Sequence, residues 1–71
     1  METIKIKDEY ITLGQFLKLT NHISTGGQAK PFLQENKIYI NGSLDNRRGR
    51  KIVPGDEVKI NETGDYKVMN L

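Results

Sequence analysis

The chain has 71 residues, a formal net charge of +2, no cysteine and one histidine. A single domain of this size buries only about 60% of the surface that its unfolded chain exposes, which leaves little room for a deep catalytic cleft. Lack of cysteine removes disulfides, thiolate zinc sites and thiol nucleophiles, His22 alone cannot hold a metal, and no apolar run nears the roughly 20 residues that cross a bilayer.

The start, Met1-Glu2-Thr3-Ile4-Lys5, lacks the basic and apolar regions of a signal peptide. The expectation is one soluble, unsecreted cytoplasmic domain over residues 1–71. Thr3-Ile4-Lys5-Ile6-Lys7 alternates with period two and predicts an edge strand over 3–7. Thr12 reads as a helix N-cap, with Gln15 as its capping-box partner and Ile11 able to staple onto Phe16. The first helix then runs from Leu13 to about Thr20, with Leu13, Phe16, Leu17 and Thr20 on its inner stripe and Lys18 outside.

Asn21-His22 reads as the connection to a second helix capped by Ser24 or Thr25, whose inner stripe is Ala29, Phe32 and Leu33. Pro31 would then fall inside that helix, where it costs about 3 kcal/mol, so an irregular or later start is expected. Asn36 is predicted to end the helix in a left-handed conformation. Lys37-Ile38-Tyr39-Ile40 alternates as a strand, Asn41-Gly42 is a strong hairpin signal, and the return strand is placed at Leu44 to Asn46. Pro54-Gly55-Asp56 predicts a turn before a strand at Glu57 to Ile60. A polar loop over 61–65 and a last strand over 66–69, pairing near the first, complete the order.

Charge is concentrated in residues 46–53, which hold four cations and no acid, so the remainder of the chain is slightly acidic. Arg47, Arg48, Arg50 and Lys51 supply planar donor forks and a point charge suited to phosphates, while Gly49 lets the loop follow a backbone track. A second candidate is Ser24-Thr25-Gly26-Gly27-Gln28. There a helix start offers unpaired N–H groups and glycines allow a phosphate to approach, although Gly26 and Gly27 could equally relieve crowding at a tight turn. A nucleotide P-loop does not fit, since no Gly-Lys-Ser/Thr follows. Lys30 lies close to this seat, and Lys18 is a weaker candidate. His22 is read as finishing the inter-helix turn, Tyr39 as either stacking on a base or packing across the sheet, and Asp8-Glu9 and Asp56-Glu57 as solvated turns.

Taken in order, Ser24-Thr25-Gly26-Gly27-Gln28-Ala29-Lys30, Lys37-Ile38-Tyr39-Ile40-Asn41-Gly42, Asn46-Arg47-Arg48-Gly49-Arg50-Lys51 and Pro54-Gly55-Asp56-Glu57-Val58 resemble the S4-type RNA-binding domain family. The likeness is to its short stand-alone bacterial members, called YaaA-like or YbcJ-like, and its core spans about residues 12–60, flanked by the terminal strands. It implies an α+β fold, a helix pair on a small, curved, mostly antiparallel sheet. It further implies RNA contacts at Ser24 to Lys30 and at Arg47 to Lys51, and no cofactor. Relatives often begin the first helix with Arg-Leu-Asp where this chain has Thr12-Leu13-Gly14. They also often carry arginine at Thr25 and a basic residue at Pro31, so here the burden shifts to the 47–51 loop.

The reading is a non-catalytic protein, its oligomeric state open with a monomer favoured, that binds structured RNA, ribosomal RNA or a ribosome-assembly particle, through phosphate and shape contacts, with no membrane or small-molecule partner. Two alternatives stand beside it. One is a protein-interaction module resembling sulfur carriers, which end in Gly-Gly where this chain ends Val68-Met69-Asn70-Leu71. The other is a duplex-DNA binder that uses the helix pair as a helix-turn-helix, for which the second helix offers little beyond Lys30 and Gln34.

Overall fold

In a computed structural model, which describes residues 1–62 and 64–71, two helices cover one face of a five-stranded sheet. The strands are β1 (Glu2–Ile6), β2 (Ile11–Thr12), β3 (Ile38–Ile40), β4 (Ser43–Leu44), β5 (Lys51–Ile52), β6 (Glu57–Ile60) and β7 (Gly64–Asn70). The helices are α1 (Leu13–Leu19) and α2 (Ala29–Glu35), the latter preceded by a 3₁₀ turn at Gly26–Gln28. The large sheet has the order β1-β7-β6-β3-β4 and is antiparallel except for β1 and β7, which run parallel. No helix among the described residues is long and apolar enough to cross a membrane.

Strand alternation sends Ile38, Ile40, Val58, Ile60 and Val68 into the core, where Leu13, Phe16 and Leu17 of α1 and Ala29 and Leu33 of α2 meet them. Phe16 stands edge-on to Tyr66 with ring centroids 5.3 Å apart. The predicted stripe of α1 is therefore the buried one, and Lys18 is exposed. Its capping box is present: the Thr12 N–H donates to Gln15 Oε1 at 2.8 Å and the Gln15 N–H to Thr12 Oγ1 at 3.2 Å. At the other end Asn21 takes φ 63°, with its N–H bonded to Lys18 O at 3.1 Å and that of His22 to Leu17 O at 2.9 Å. These are the two bonds of a Schellman motif with asparagine in glycine's usual place.

The irregular start expected for the second helix is the 3₁₀ turn. Thr25 is extended before that turn, and α2 proper begins only at Ala29. Pro31 thus falls in the first turn of α2, where its missing N–H has no intrahelical partner to lose.

Asn36 corrects an expectation. It is extended, with φ −128° and ψ 147°, and its side chain donates to Phe32 O at 2.8 Å and accepts from Asn61 Nδ2 at 2.9 Å. Left-handed backbone falls instead at Asn21, Asn41 and Asn61 among the non-glycine residues. Asn41 and Gly42, at φ 53° and 85°, make the predicted β3–β4 turn. The return strand stops at Leu44, before the predicted Asn46, because the Asp45 side chain turns to the arginines that follow.

Gly55, at φ 100°, sits where the Val53-to-Asp56 turn requires a positive φ. Asp56 is no idle turn acid: it accepts from the Val53 N–H and from Asn41 Nδ2, both at 2.9 Å, and so ties that turn to the β3–β4 hairpin. The last strand is longer than predicted and already includes Gly64 and Asp65. Thr63, within the predicted polar loop over 61–65, lies outside the described residues. The two-stranded β2–β5 sheet, with Ile11 opposite Ile52 and Thr12 opposite Lys51, is not expected from the local pattern.

Candidate nucleic-acid interface

The β2–β5 pairing brings the basic segment to the start of α1. Helix starts leave backbone N–H groups without intrahelical partners. Here the Leu13 N–H donates to Arg50 O at 2.8 Å and the Gly14 N–H to Arg48 O at 2.9 Å. The arginine loop is therefore part of the capping of α1, and a tight turn through Arg48 and Gly49 is closed by the Arg50 N–H on Arg47 O at 3.0 Å.

Asp45 shapes this loop. Its side chain is only 9% exposed and accepts from Arg47 Nε at 3.0 Å, Arg47 Nη2 at 2.8 Å and Arg50 Nη1 at 2.7 Å. The Arg47 hydrogen bond, with support from Arg50, holds the carboxyl well below the usual carboxylate range, and Asp45 in turn raises the Arg47 guanidinium. Two of the four predicted cations thus share one carboxylate. It lies two residues before Arg47, just outside the segment counted as free of acids.

Arg48 forms no ion pair among the described residues. With Gly49 it borders a groove of roughly 400 Å³ whose other walls are Thr12, Gly14, Gln15, Lys18, Gly26 and Ala29. The two sequence-predicted segments meet at this groove, through Gly26 from one and Arg48 from the other. Lys18, the weaker candidate of the sequence, lies on it, whereas Lys30 does not. Gly14, which stands where relatives often carry aspartate, lies against Arg48 O: a Cβ on it would come within 3.5 Å of that atom.

The remaining predicted residues have other duties. Gln28 Oε1 accepts from the N–H groups of Ser24 and Thr25, so the front of the turn is closed internally. Gly26 and Gly27 are exposed with ordinary negative φ; a Cβ on Gly26 would meet nothing within 4 Å, and one on Gly27 only Thr25 Oγ1 at 3.9 Å. Crowding therefore does not explain either glycine. Lys51 belongs to β5 rather than to the loop, with its Nζ 4.9 Å from the centre of the Tyr10 ring.

His22 lies away from the groove. Its Nδ1 is 2.7 Å from Thr20 Oγ1, and its ring packs edge-on to Phe32 and Tyr66. Burial pushes its pKa down, opposed by Glu2. Tyr39 borders a separate recess beside Lys59 and Asn61.

A Bacillus subtilis (strain 168) protein named "Probable ribosome maturation protein RlbA" is 52% identical over 67 residues, covering 94% of this chain and 94% of that one. The family model described as "S4 domain" matches residues 4–69, from the first strand to the last, and with this fold it makes the chain a member of the S4 domain family.

Proposed function

We propose that the protein is a non-catalytic RNA-binding domain that recognises structured RNA, ribosomal RNA or a ribosome-assembly particle, in the cytoplasm. The observation that carries this reading is the groove at the start of α1, where Lys18 and Arg48 line one recess together with Gly14 and Gly26. Glycine costs conformational entropy and is retained where backbone must bend or where something must come close. At Gly26 and Gly27 the backbone needs neither a positive φ nor extra space, and the missing Cβ atoms keep the turn open to the approach of a ligand. Exposed N–H groups beside two cations suit a phosphate, and a groove bounded by backbone and long cations suits the shape of an RNA strand better than the edges of its bases.

The ribosome-maturation name of the Bacillus subtilis protein supports the ribosomal partner. On the α2 side Gly26 lines the groove, and Ser24, Thr25, Gly27, Gln28 and Lys30, its neighbours in the chain, complete the proposed RNA-contacting segment. Arg47, Arg48, Arg50 and Lys51 form the basic rim, with Arg48 the principal phosphate ligand and Arg47 and Arg50 oriented by Asp45. Crosslinking in cells, followed by sequencing of the bound RNA, tests the reading. Ribosomal RNA should be enriched with the wild type and lost with Arg48→Ala plus Lys18→Ala; a profile that matches total RNA in both proteins refutes it.

A further inference from the structure

Thr12 and Gln15 border the groove on one side and, on the other, a second recess of roughly 370 Å³ completed by Asp8, Glu9 and Tyr10. Tyr10 is 42% exposed although its neighbour Ile11 is buried. Its ring makes none of the aromatic pairings found among the described residues. Lys51 Nζ covers one face at 4.9 Å from the centroid. An ammonium over one face orients the ring, and an exposed aromatic ring beside a recess suits a flat π-system.

The polar wall of this recess has the wrong charge for a phosphate. Asp8 and Glu9 are acceptors only. The Oε1 of Gln15 is taken by the Thr12 N–H, which leaves its NH₂ group free to donate. The complementary ligand is planar, carries adjacent N–H donors on one edge and has a carbonyl acceptor next to them. Guanine presents this pattern in its N1–H, N2–H₂ and O6, whereas uracil offers one N–H flanked by two carbonyls that a carboxylate repels.

We propose that Tyr10, held under Lys51, is a stacking platform for one unpaired guanine of the bound RNA, with Asp8 and Glu9 receiving the base's donors while the adjoining phosphates lie in the groove. This rests on the RNA-binding reading above and narrows its target to helical RNA with an unstacked guanine. RNA is commonly read through bases splayed from a bulge or loop and stacked on aromatic side chains.

The test uses three RNA hairpins of one sequence, carrying a single bulged guanine, a single bulged uracil or no bulge, titrated with the intact protein at fixed salt. The wild type should bind the guanine-bulged hairpin about ten-fold more tightly than the other two, through stacking against the unbulged hairpin and through the base's hydrogen bonds against uracil. Tyr10→Ala should abolish that advantage, and Tyr10→Phe should keep it, because stacking needs the ring and not the hydroxyl. Asp8→Asn combined with Glu9→Gln should bring the guanine-to-uracil ratio towards one even as loss of two negative charges strengthens binding to every hairpin. Equal binding of the three hairpins by the wild type, or a preference that survives in Tyr10→Ala, overturns the Tyr10 site and leaves the RNA reading standing. A ratio unchanged in the double variant overturns the role of the carboxylates. Failure to bind any of the hairpins overturns the RNA reading and this site with it.

Discussion

Replacing Arg48 by alanine separates a phosphate-binding loop from one that only carries charge. Four cations in the sequence would suggest four phosphate contacts, but Asp45 partly offsets Arg47 and Arg50. The groove and its margin keep three cations without a carboxylate partner among the described residues: Lys18, Arg48 and Lys51. Three contacts at roughly 0.7 to 0.9 each give a slope of log affinity against log salt of about −2 to −3. Raising salt four-fold, from 50 to 200 mM, then weakens binding about 20- to 40-fold for the wild type and about 7- to 12-fold for Arg48→Ala. The loss should be similar for different structured RNAs, as a backbone contact requires. Arg48 is exposed and its backbone carbonyl, which caps α1, survives the substitution, so stability should stay within about 0.5 kcal/mol. Fluorescence anisotropy at several salt concentrations provides the measurement. Parallel lines of equal affinity for wild type and variant would refute the assignment of Arg48 to a phosphate.

Gly27→Val should weaken RNA binding several-fold with an unchanged thermal transition, since its Cβ has space; equal binding by the folded variant would show that the glycine pair has no role in ligand approach. Asp45→Asn removes the charge that gathers two arginines and should destabilise the domain by about 1–2 kcal/mol, as read by urea unfolding. In the wild type the depressed Asp45 pKa adds stability that is complete above the ordinary carboxylate value, near 3.9, and is lost as pH falls further towards the lower folded value, so Asp45→Asn should flatten that acid limb. His22 has the same sign by a different cause. Burial disfavours its charged form in the folded chain, so stability should be full above about pH 6.5 and decline below it, and His22→Phe should remove that part of the pH profile.

Features set by a few neighbouring residues were legible in the sequence: the Thr12–Gln15 capping box, the Asn41-Gly42 turn and the Pro54-Gly55 turn all appear where the local chemistry placed them. Asn36 shows the limit of that reasoning. Asn21, Asn36, Asn41 and Asn61 are alike as residues, yet only Asn36 has Phe32 O and the Asn61 side chain in reach, and those bonds hold it extended. The β2–β5 ladder consists of two residue pairs and has no periodicity to detect, although it brings the arginine loop to α1. The site was legible as segments and not as a groove. Gly14 joins it through the carbonyl of Arg48 and Lys18 from the following turn of α1, and the covering of the Asp45 side chain depends on a fold that its position beside the basic run does not reveal.

The parallel pairing of β1 with β7 has a consequence for the order in which the molecule assembles. Glu2 lies opposite Tyr66 and Ile6 opposite Asn70, so this ladder joins the parts of the chain most distant in sequence, and β1 has no other strand beside it. Such a pair gains nothing until the intervening chain is compact, whereas the helix pair and the β3–β4 hairpin can form from local contacts. On this argument β1 is expected to be the last of the strands to find its place. Weakening it, for example by Ile4→Ala, should speed unfolding in stopped-flow kinetics while leaving the refolding rate nearly unchanged, and a refolding rate that falls in step with stability would put β1 in the nucleus instead. No residue of β1 lines the groove, so a nascent chain would form the groove before its own sheet is closed.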